Sequence, residues 1–213
     1  FVHRFALPVL CWCAALVFWL VQGAVAFAGD SSAKAKGTLA ETSIPIESWQ
    51  LAELTWGEPG ENSAPQGQLI TTGGDPQMIL EDVGSRVVRT ISYTAEFDGE
   101  AREMCLYYTT RVGEDYSADR RVFPQSLGSG QYVYTLPRTS LAALRLDPCS
   151  PEENKTVTLT MSDITLNAAD TLPAVWQYFV PTWYQAFCLV LYPALAAAAV
   201  SMVGAVVTER KRK

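Results

Sequence analysis

Two apolar spans bracket this chain. The first covers residues 5–28 and the second residues 183–207. Each exceeds the ~20 residues that carry a helix across a bilayer's hydrocarbon core. Backbone in lipid must satisfy its own N–H and C=O groups, so each span is expected to be a helix. Four bases and one acid fill the last six residues, Thr208 to Lys213, and His3 and Arg4 precede the first span. By the positive-inside rule both termini are expected on the cytoplasmic side of the cytoplasmic membrane. The central domain is then extracytoplasmic. A rival reading takes Ala26-Phe27-Ala28 as a leader cleavage site. The apolar stretch is longer than a leader's core, so a retained helix is favoured. The chain starts at Phe1 rather than Met, which leaves room for upstream sequence and further spans.

Between Asp30 and Val180 there are 21 acidic and 11 basic residues. A balance of −10 excludes nucleic acid as an expected partner, since that needs a basic face. The basic tail reads as a topology anchor that can touch anionic lipid headgroups. Membrane lipid is therefore an expected partner.

Residues 29–47 are polar and small and read as a linker. From residue 48 the texture changes. Short runs rich in Val, Ile, Thr, Tyr and Leu alternate with Gly, Pro, Asn and Asp clusters, the rhythm of a β-sandwich or jelly roll. Expected strands are 49–55, 68–72, 77–80, 86–97, 102–111, 120–123, 131–136, 141–146 and 156–166. Breaks fall at 57–65, 73–76, 98–99, 112–115, 127–130 and 147–154. Alternation within 86–97 places Val87, Ile91, Tyr93, Ala95 and Phe97 on a core face and Val88, Thr90, Ser92, Thr94 and Glu96 on a wet one. Arg89 interrupts the apolar face. Leu144 and Leu146 point one way and Arg145 the other. Val157, Leu159 and Met161 are in phase, whereas Ile164 and Leu166 are shifted by one, which calls for a β-bulge near Ser162-Asp163.

Segment 171–182 holds Trp176, Tyr178 and Phe179 and reads as an interfacial aromatic belt or a short interfacial helix. Pro193 lies inside the second span. Ala197, Ser201 and Ala205 form a small-residue stripe suited to close helix packing. The fold class is thus an all-β exported domain flanked by two transmembrane α-helices.

Catalytic signals are absent. His3 is the only histidine, and it lies on the wrong side of a span to serve an exported nucleophile. No CxxC or HExxH motif marks a zinc site, and no glycine-rich phosphate cradle is present. No cofactor is expected. Cys105 and Cys149 share the exported domain, where a disulfide between them would persist. Asp75-Pro76 and Asp147-Pro148 are the sharpest local features. They read first as turns in which Asp bonds the backbone two residues on and Pro ends the strand. The functional alternative makes Asp75, Gln77 and Asp147 hydrogen-bonding groups for sugar hydroxyls, or oxygen ligands for calcium. Trp49, Trp56, Tyr107, Tyr108, Tyr116, Tyr132 and Tyr134 form a pool of aromatics for sugar stacking, with Tyr107 and Tyr116 the chosen candidates.

Two motifs carry a family resemblance. One is Gly74-Asp75-Pro76-Gln77-Met78-Ile79-Leu80. The other is Leu144-Arg145-Leu146-Asp147-Pro148, followed by Val157-Thr158-Leu159-Thr160-Met161-Ser162-Asp163-Ile164-Thr165-Leu166. The Cys105-Leu106-Tyr107-Tyr108 and Tyr132-Val133-Tyr134 runs lie between them. This order resembles the extracytoplasmic β-sandwich of bacterial multi-span membrane proteins of surface-polysaccharide assembly, membrane glycosyltransferases among them. It covers residues 75–166. Cys149 and the presence of only two spans depart from that pattern, and the enzymes' catalytic regions have no counterpart here. The resemblance implies fold and setting. The expected function is a non-enzymatic, membrane-anchored module that binds surface glycan during cell-envelope polysaccharide assembly. The alternatives are a structural subunit docked on a larger membrane protein, and a fragment of a multi-span glycosyltransferase.

Overall fold

The computed structural model describes residues 2–57, 67–84 and 86–212. It divides into a β-rich unit, Ala33–Leu172, and a helical unit formed by the two flanking stretches. The strands are β1 (Thr42–Ile44), β2 (Gln50–Ala52), β3 (Leu54–Trp56), β4 (Gln68–Thr71), β5 (Gln77–Leu80), β6 (Thr90–Asp98) and β7 (Cys105–Tyr108). They continue with β8 (Arg121–Val122), β9 (Gln125–Gly128), β10 (Gln131–Thr135), β11 (Leu144–Asp147), β12 (Thr158–Met161) and β13 (Ile164–Leu166). They form an eight-stranded sheet, β1-β13-β6-β12-β4-β3 with β10 and β9 added beyond β6, and a five-stranded sheet, β2-β5-β11-β7-β8. One hydrophobic core lies between the two, so the unit is a β-sandwich. It is not purely β, because Ile46–Ser48 and Ala118–Arg120 are single 3-10 turns.

The five-stranded sheet follows from period-two alternation. Cross-strand register lines up Leu51, Met78, Leu146, Leu106 and Val122 on the inner face. Met78, Leu106 and Leu146 have no solvent exposure. The adjoining row, Gln50, Ile79, Arg145, Tyr107 and Arg121, then has to face outward. Leu144 and Leu146 point inward and Arg145 outward, as the sequence indicates.

Strand β6 organises the other sheet. One edge pairs with β10, and the other pairs first with β12 and then with β13. The expected bulge at Ser162-Asp163 is where β12 stops and β13 begins. There Ser162 donates its N–H to Thr94 O at 2.9 Å, and its Oγ accepts from the Thr94 N–H at 2.9 Å. The side chain stands in for a ladder partner, and the one-residue slip keeps Leu159, Met161, Ile164 and Leu166 all buried.

Several expectations change. Strand β6 begins at Thr90 rather than at residue 86, so its alternation does not extend upstream. Val88 is buried in the core and Val87 is not. Thr90 and Ser92 are buried as well, Thr90 against the Thr171 hydroxyl at 2.7 Å. The stretch 49–55 is two strands, broken at Glu53, whose φ is +52°. The 127–130 break contains the end of β9, whose residues are all exposed and so carry no alternation. Ser129 and Gly130 close the β9–β10 hairpin, both with positive φ, and a Cβ on Gly130 would meet Ala95 O at 2.8 Å. The break expected at 57–65 lies, from residue 58 on, outside the described residues, as does Lys213.

Residues 29–47 are not a linker. Helix α1 runs Val2–Ala35, beyond the apolar stretch. It ends at Gly37, with φ +73°, through bonds from Gly37 N–H to Lys34 O and from Thr38 N–H to Ala33 O. That Schellman arrangement stops the helix, not the change in polarity. Leu39, Ile44 and Ile46 are then buried and β1 pairs with β13. In the helical unit, α1 and α2 (Trp183–Arg212) are each long and apolar enough to cross a membrane. Pro193 lies within an unbroken α2. Pro193 and Ala197 are buried, whereas Ser201 and Ala205 are exposed, so only the start of the small-residue stripe packs. Segment 175–179 is a short 3-10 helix. Its Tyr178 packs edge-on against Phe27 with centroids 5.6 Å apart and donates to Asp30 Oδ2 at 2.9 Å. A Cβ on Gly23 would lie 2.7 Å from Tyr178 O.

One buried side chain joins three segments of the sandwich. Asn167 Oδ1 accepts from the Arg89 N–H at 2.7 Å, and its Nδ2 donates to Val87 O at 2.7 Å and Ala40 O at 3.3 Å. Its φ is +55°. Asn167→Ala is expected to lower the unfolding free energy by about 3 kcal/mol, because it leaves buried backbone groups unpaired. Asn167→Gly is expected to lose about 1 kcal/mol less, since glycine accepts that backbone without strain. Denaturant unfolding of the full chain in detergent measures both, and equal losses would exclude a contribution from strain.

Candidate functional site

The outward row of the five-stranded sheet brings most of the sequence-chosen residues together. Arg145, central on β11, is the hub. Its Nε donates to Asp147 Oδ1 at 2.7 Å and its Nη2 to Asp147 Oδ2 at 2.8 Å, a side-on bidentate pair. The same Nη2 reaches Asp75 Oδ1 at 3.0 Å and Oδ2 at 3.2 Å. Gln77 Nε2 donates to Asp75 Oδ2 at 2.6 Å, and the Asp75 N–H donates to Glu53 Oε2 at 2.7 Å. The Arg145 guanidinium lies over the Tyr107 ring, 5.0 Å from its centroid. On the other side of Tyr107, Arg121 pairs with Glu103 at 3.1 Å and covers the Phe123 ring at 4.7 Å. A cleft of about 260 Å³ opens here, lined by Asp75, Glu103, Tyr107, Arg121, Arg145 and Asp147, with Cys105 and Cys149 at its base.

Asp75, Gln77, Tyr107 and Asp147 therefore converge. Neither Asp bonds the backbone two residues on. Both carboxylates turn to Arg145, across 70 residues of sequence for Asp75. The turn reading of the Asp-Pro pairs is replaced by an ion-paired cluster. The calcium reading fails with it, because a guanidinium sits where the two carboxylates meet. No group of three or more His, Cys, Asp or Glu among the described residues is placed to hold a metal. Arg145 and Arg121 are what sequence reading missed. The signal available was Arg145 alternating out of phase with Leu144 and Leu146.

Tyr116 is not part of the cleft wall. It is half-buried, with its pKa raised chiefly by burial and lowered in part by the charge of Arg145. Tyr134 leaves the sugar-binding pool, because it is fully buried with its hydroxyl 3.1 Å from that of Tyr93. Tyr132 and Tyr108 pack against the core, and Trp49 is inside it. Trp56 is exposed on edge strand β3.

Cys105 and Cys149 are separate buried thiols, not a disulfide. Burial pushes the Cys105 thiol up to about 11, with the Asp147 charge adding to it. Burial alone pushes Cys149 up to about 12. Both are protonated at neutral pH and neither is an activated nucleophile. Desolvation raises the Asp147 carboxyl above its ordinary value, offset in part by Arg145. The cluster can pair with polar groups and stack.

No family model matches this chain, and no curated protein matches its sequence. Solved structures similar to it include a low affinity xylan binding module from the gut symbiont Roseburia intestinalis. That module is 15% identical, with a TM-score of 0.38, over 60% of this chain and 94% of the module. The cleaved adhesin domain K2 of Lys-gingipain is 11% identical, with a TM-score of 0.41, over 61% of this chain and 100% of that domain. Neither likeness bears on ligand or activity.

Two predictions follow from the charges. Arg145→Gln leaves Asp147 buried without its cation and is expected to lower the unfolding free energy by about 3 kcal/mol. Adding Asp147→Asn should recover most of that loss, and a double variant no better than the single one would refute the pairing as the cause. The second concerns Glu114, which pins the loop bearing Tyr116. It accepts from the Thr110 N–H at 3.0 Å and Thr110 Oγ1 at 3.2 Å and pairs with Arg120. The Thr110 backbone bond first, then Arg120, pull its carboxyl down to about 2. A depressed folded pKa gives stability that is present above the ordinary value of 4.5 and lost as pH falls toward 2. Melting temperatures measured from pH 5 to pH 2 should fall less steeply in Glu114→Gln than in the parent chain.

Proposed function

We propose that this chain is a non-enzymatic, membrane-anchored β-sandwich module that holds glycan on the outer face of its five-stranded sheet. The observation that carries the reading is Tyr107, flanked in cross-strand register by Arg145 and Arg121, with Asp75, Gln77 and Asp147 alongside. A pyranose ring has an apolar C–H face and a rim of hydroxyls. One face of Tyr107 is covered by Arg145, and the other is the stacking surface. Carboxylates and guanidinium groups, already fixed by one another, offer acceptors and donors to the rim. Aromatic bodies with a few placed polar groups are the usual makeup of small-ligand sites. Exposed Phe123 extends the platform beyond Arg121.

The setting we infer is an extracytoplasmic domain between two spans with cytoplasmic ends, acting in cell-envelope polysaccharide assembly. The charge at both chain ends supports that orientation. A second reading makes the chain a subunit of a larger membrane protein. It is favoured by an apolar groove of about 510 Å³ between α1 and α2, which carries Gln22 and Gln185 in an otherwise greasy wall. Both amides are exposed, and side-chain amides of that kind hydrogen-bond across helices in membranes.

The test is calorimetry of the full chain in detergent against fragmented surface polysaccharide of the source cell. Saturable binding is expected, weakened about tenfold by Tyr107→Ala, the loss of one stacking contact. No heat at millimolar saccharide would overturn the glycan reading and leave the subunit reading.

A further inference from the structure

The helical unit is pinned at one end and open along the rest. A Cβ on Gly23 would lie 2.7 Å from Tyr178 O, and Phe27 packs on the Tyr178 ring, so the later part of α1 meets the segment that leads into α2. Away from that junction the two helices leave the apolar groove of about 510 Å³ between them. Only 6% of the first apolar window and 11% of the second are buried, so the helices do not fill it themselves. The groove is lined from Cys11 to Gln22 on α1 and from Gln185 to Ala196 on α2, eleven residues' rise on each. At 1.5 Å per residue that is a slot about 16 Å long. Phe18 and Leu189 give it greasy walls, and the small Ala14, Ala15 and Ala196 leave it open.

The two ends of the slot differ. Gln22 adjoins Gly23 and Gln185 opens α2, so both amides stand at the pinned end, whereas Cys11 and Ala196 stand at the other. Gln185 Oε1 accepts from the Thr182 N–H at 2.9 Å, and Thr182 Oγ1 accepts from the Gln185 N–H at 3.2 Å. This reciprocal cap uses the acceptor of the amide and leaves its NH2 donors. Gln22 makes no side-chain hydrogen bond among the described residues. Six residues inside the apolar stretch 5–28, its amide needs a partner, because polar groups left unmet in hydrocarbon are costly.

We propose that this slot binds one acyl chain of an ester-linked membrane lipid, with the ester carbonyl at the amides and the tail running toward Cys11 and Ala196. The inference rests on the reading of α1 and α2 as membrane spans. Size selects the occupant. Spread over its length, the volume gives a slot about 6 Å wide, whereas a helix with its side chains is about 10 Å across. A partner helix can lie over the slot but not enter it, and its backbone carbonyls are spent within the helix. An ester carbonyl accepts and cannot donate, which is what two donor amides require. The slot shares no residue with the five-stranded face and stands whether or not that face takes glycan.

The experiment is native mass spectrometry of the full chain, extracted from membranes in a mild neutral detergent, stripped of lipid and titrated with palmitoyl-oleoyl phosphatidylcholine. Retention saturating at one lipid per chain is expected. The ether-linked analogue, which has the same tails and no ester carbonyl, should bind about tenfold more weakly, the loss of one hydrogen bond. That gap should shrink in Gln22→Leu. Ala15→Phe and Ala196→Phe, which fill the slot and leave the amides in place, should abolish retention. Unchanged thermal midpoints in the three variants separate a lost site from a lost fold. The proposal is overturned if no lipid is retained, if retention does not saturate at one, if the ester–ether gap persists in Gln22→Leu, or if both phenylalanine variants keep the lipid. A second copy of the chain retained in place of lipid also overturns it. Recovery of the chain from lysed cells without detergent would sink the membrane reading itself, whereas a membrane-bound chain that holds no lipid sinks the slot alone.

Discussion

The larger sheet depends on one strand having both edges occupied. Strand β6 pairs with β10 along one side and with β12 and β13 in succession along the other. Every other strand of that sheet except β3 is joined to it directly or through one neighbour. Nine residues long, it is the longest strand described. Two separate strands can share its edge only if the chain between them slips by one residue without losing its inward direction. Ser162 makes the slip tolerable by offering its hydroxyl where the ladder lacks a partner. The buried row on β12 and β13, and the core it closes, follow from that local substitution.

The outer face of the smaller sheet is the complement of its inner one. Because side chains alternate strictly, filling the core with Met78, Leu106 and Leu146 obliges Ile79, Tyr107 and Arg145 to meet on the other side. Three strands far apart in sequence thus bring a guanidinium, an aromatic ring and two carboxylates within bonding distance. The cluster holds itself still. Arg145 is fixed by Asp147 in plane and by Tyr107 over its face, so it meets a ligand with little freedom left to lose.

Much of this was legible in the chain. Strand 77–80 has the bounds its turn residues announce, and the phase slip between Met161 and Ile164 announces the interruption at Ser162. Asp75, Gln77, Tyr107 and Asp147 were chosen from the same patterns and do meet. What was not legible has physical causes. The Arg145–Asp75 pair joins residues 70 apart, and register across two strands cannot be read from either strand alone. Strand β9 has no buried residue, hence no alternation. Strand β1 hides in a polar stretch because a three-residue edge strand needs only one or two apolar side chains. Tyr134 looks like Tyr107 in sequence, yet a hydroxyl partner on Tyr93 lets it be wholly buried. Helix α1 outruns its apolar stretch because polarity does not end a helix, whereas a glycine in the left-handed region does.

The outermost strands of both sheets are short. β1, β2 and β3 have three residues each, β8 has two, and β9 has four, drawn from Gln, Ser, Leu and Gly. Such rims give an approaching chain few open N–H and C=O groups to zip onto. Many copies held in one bilayer plane would meet far more often than the same number free in solution. Stubby rims let such copies crowd side by side without their sheets merging into fibres.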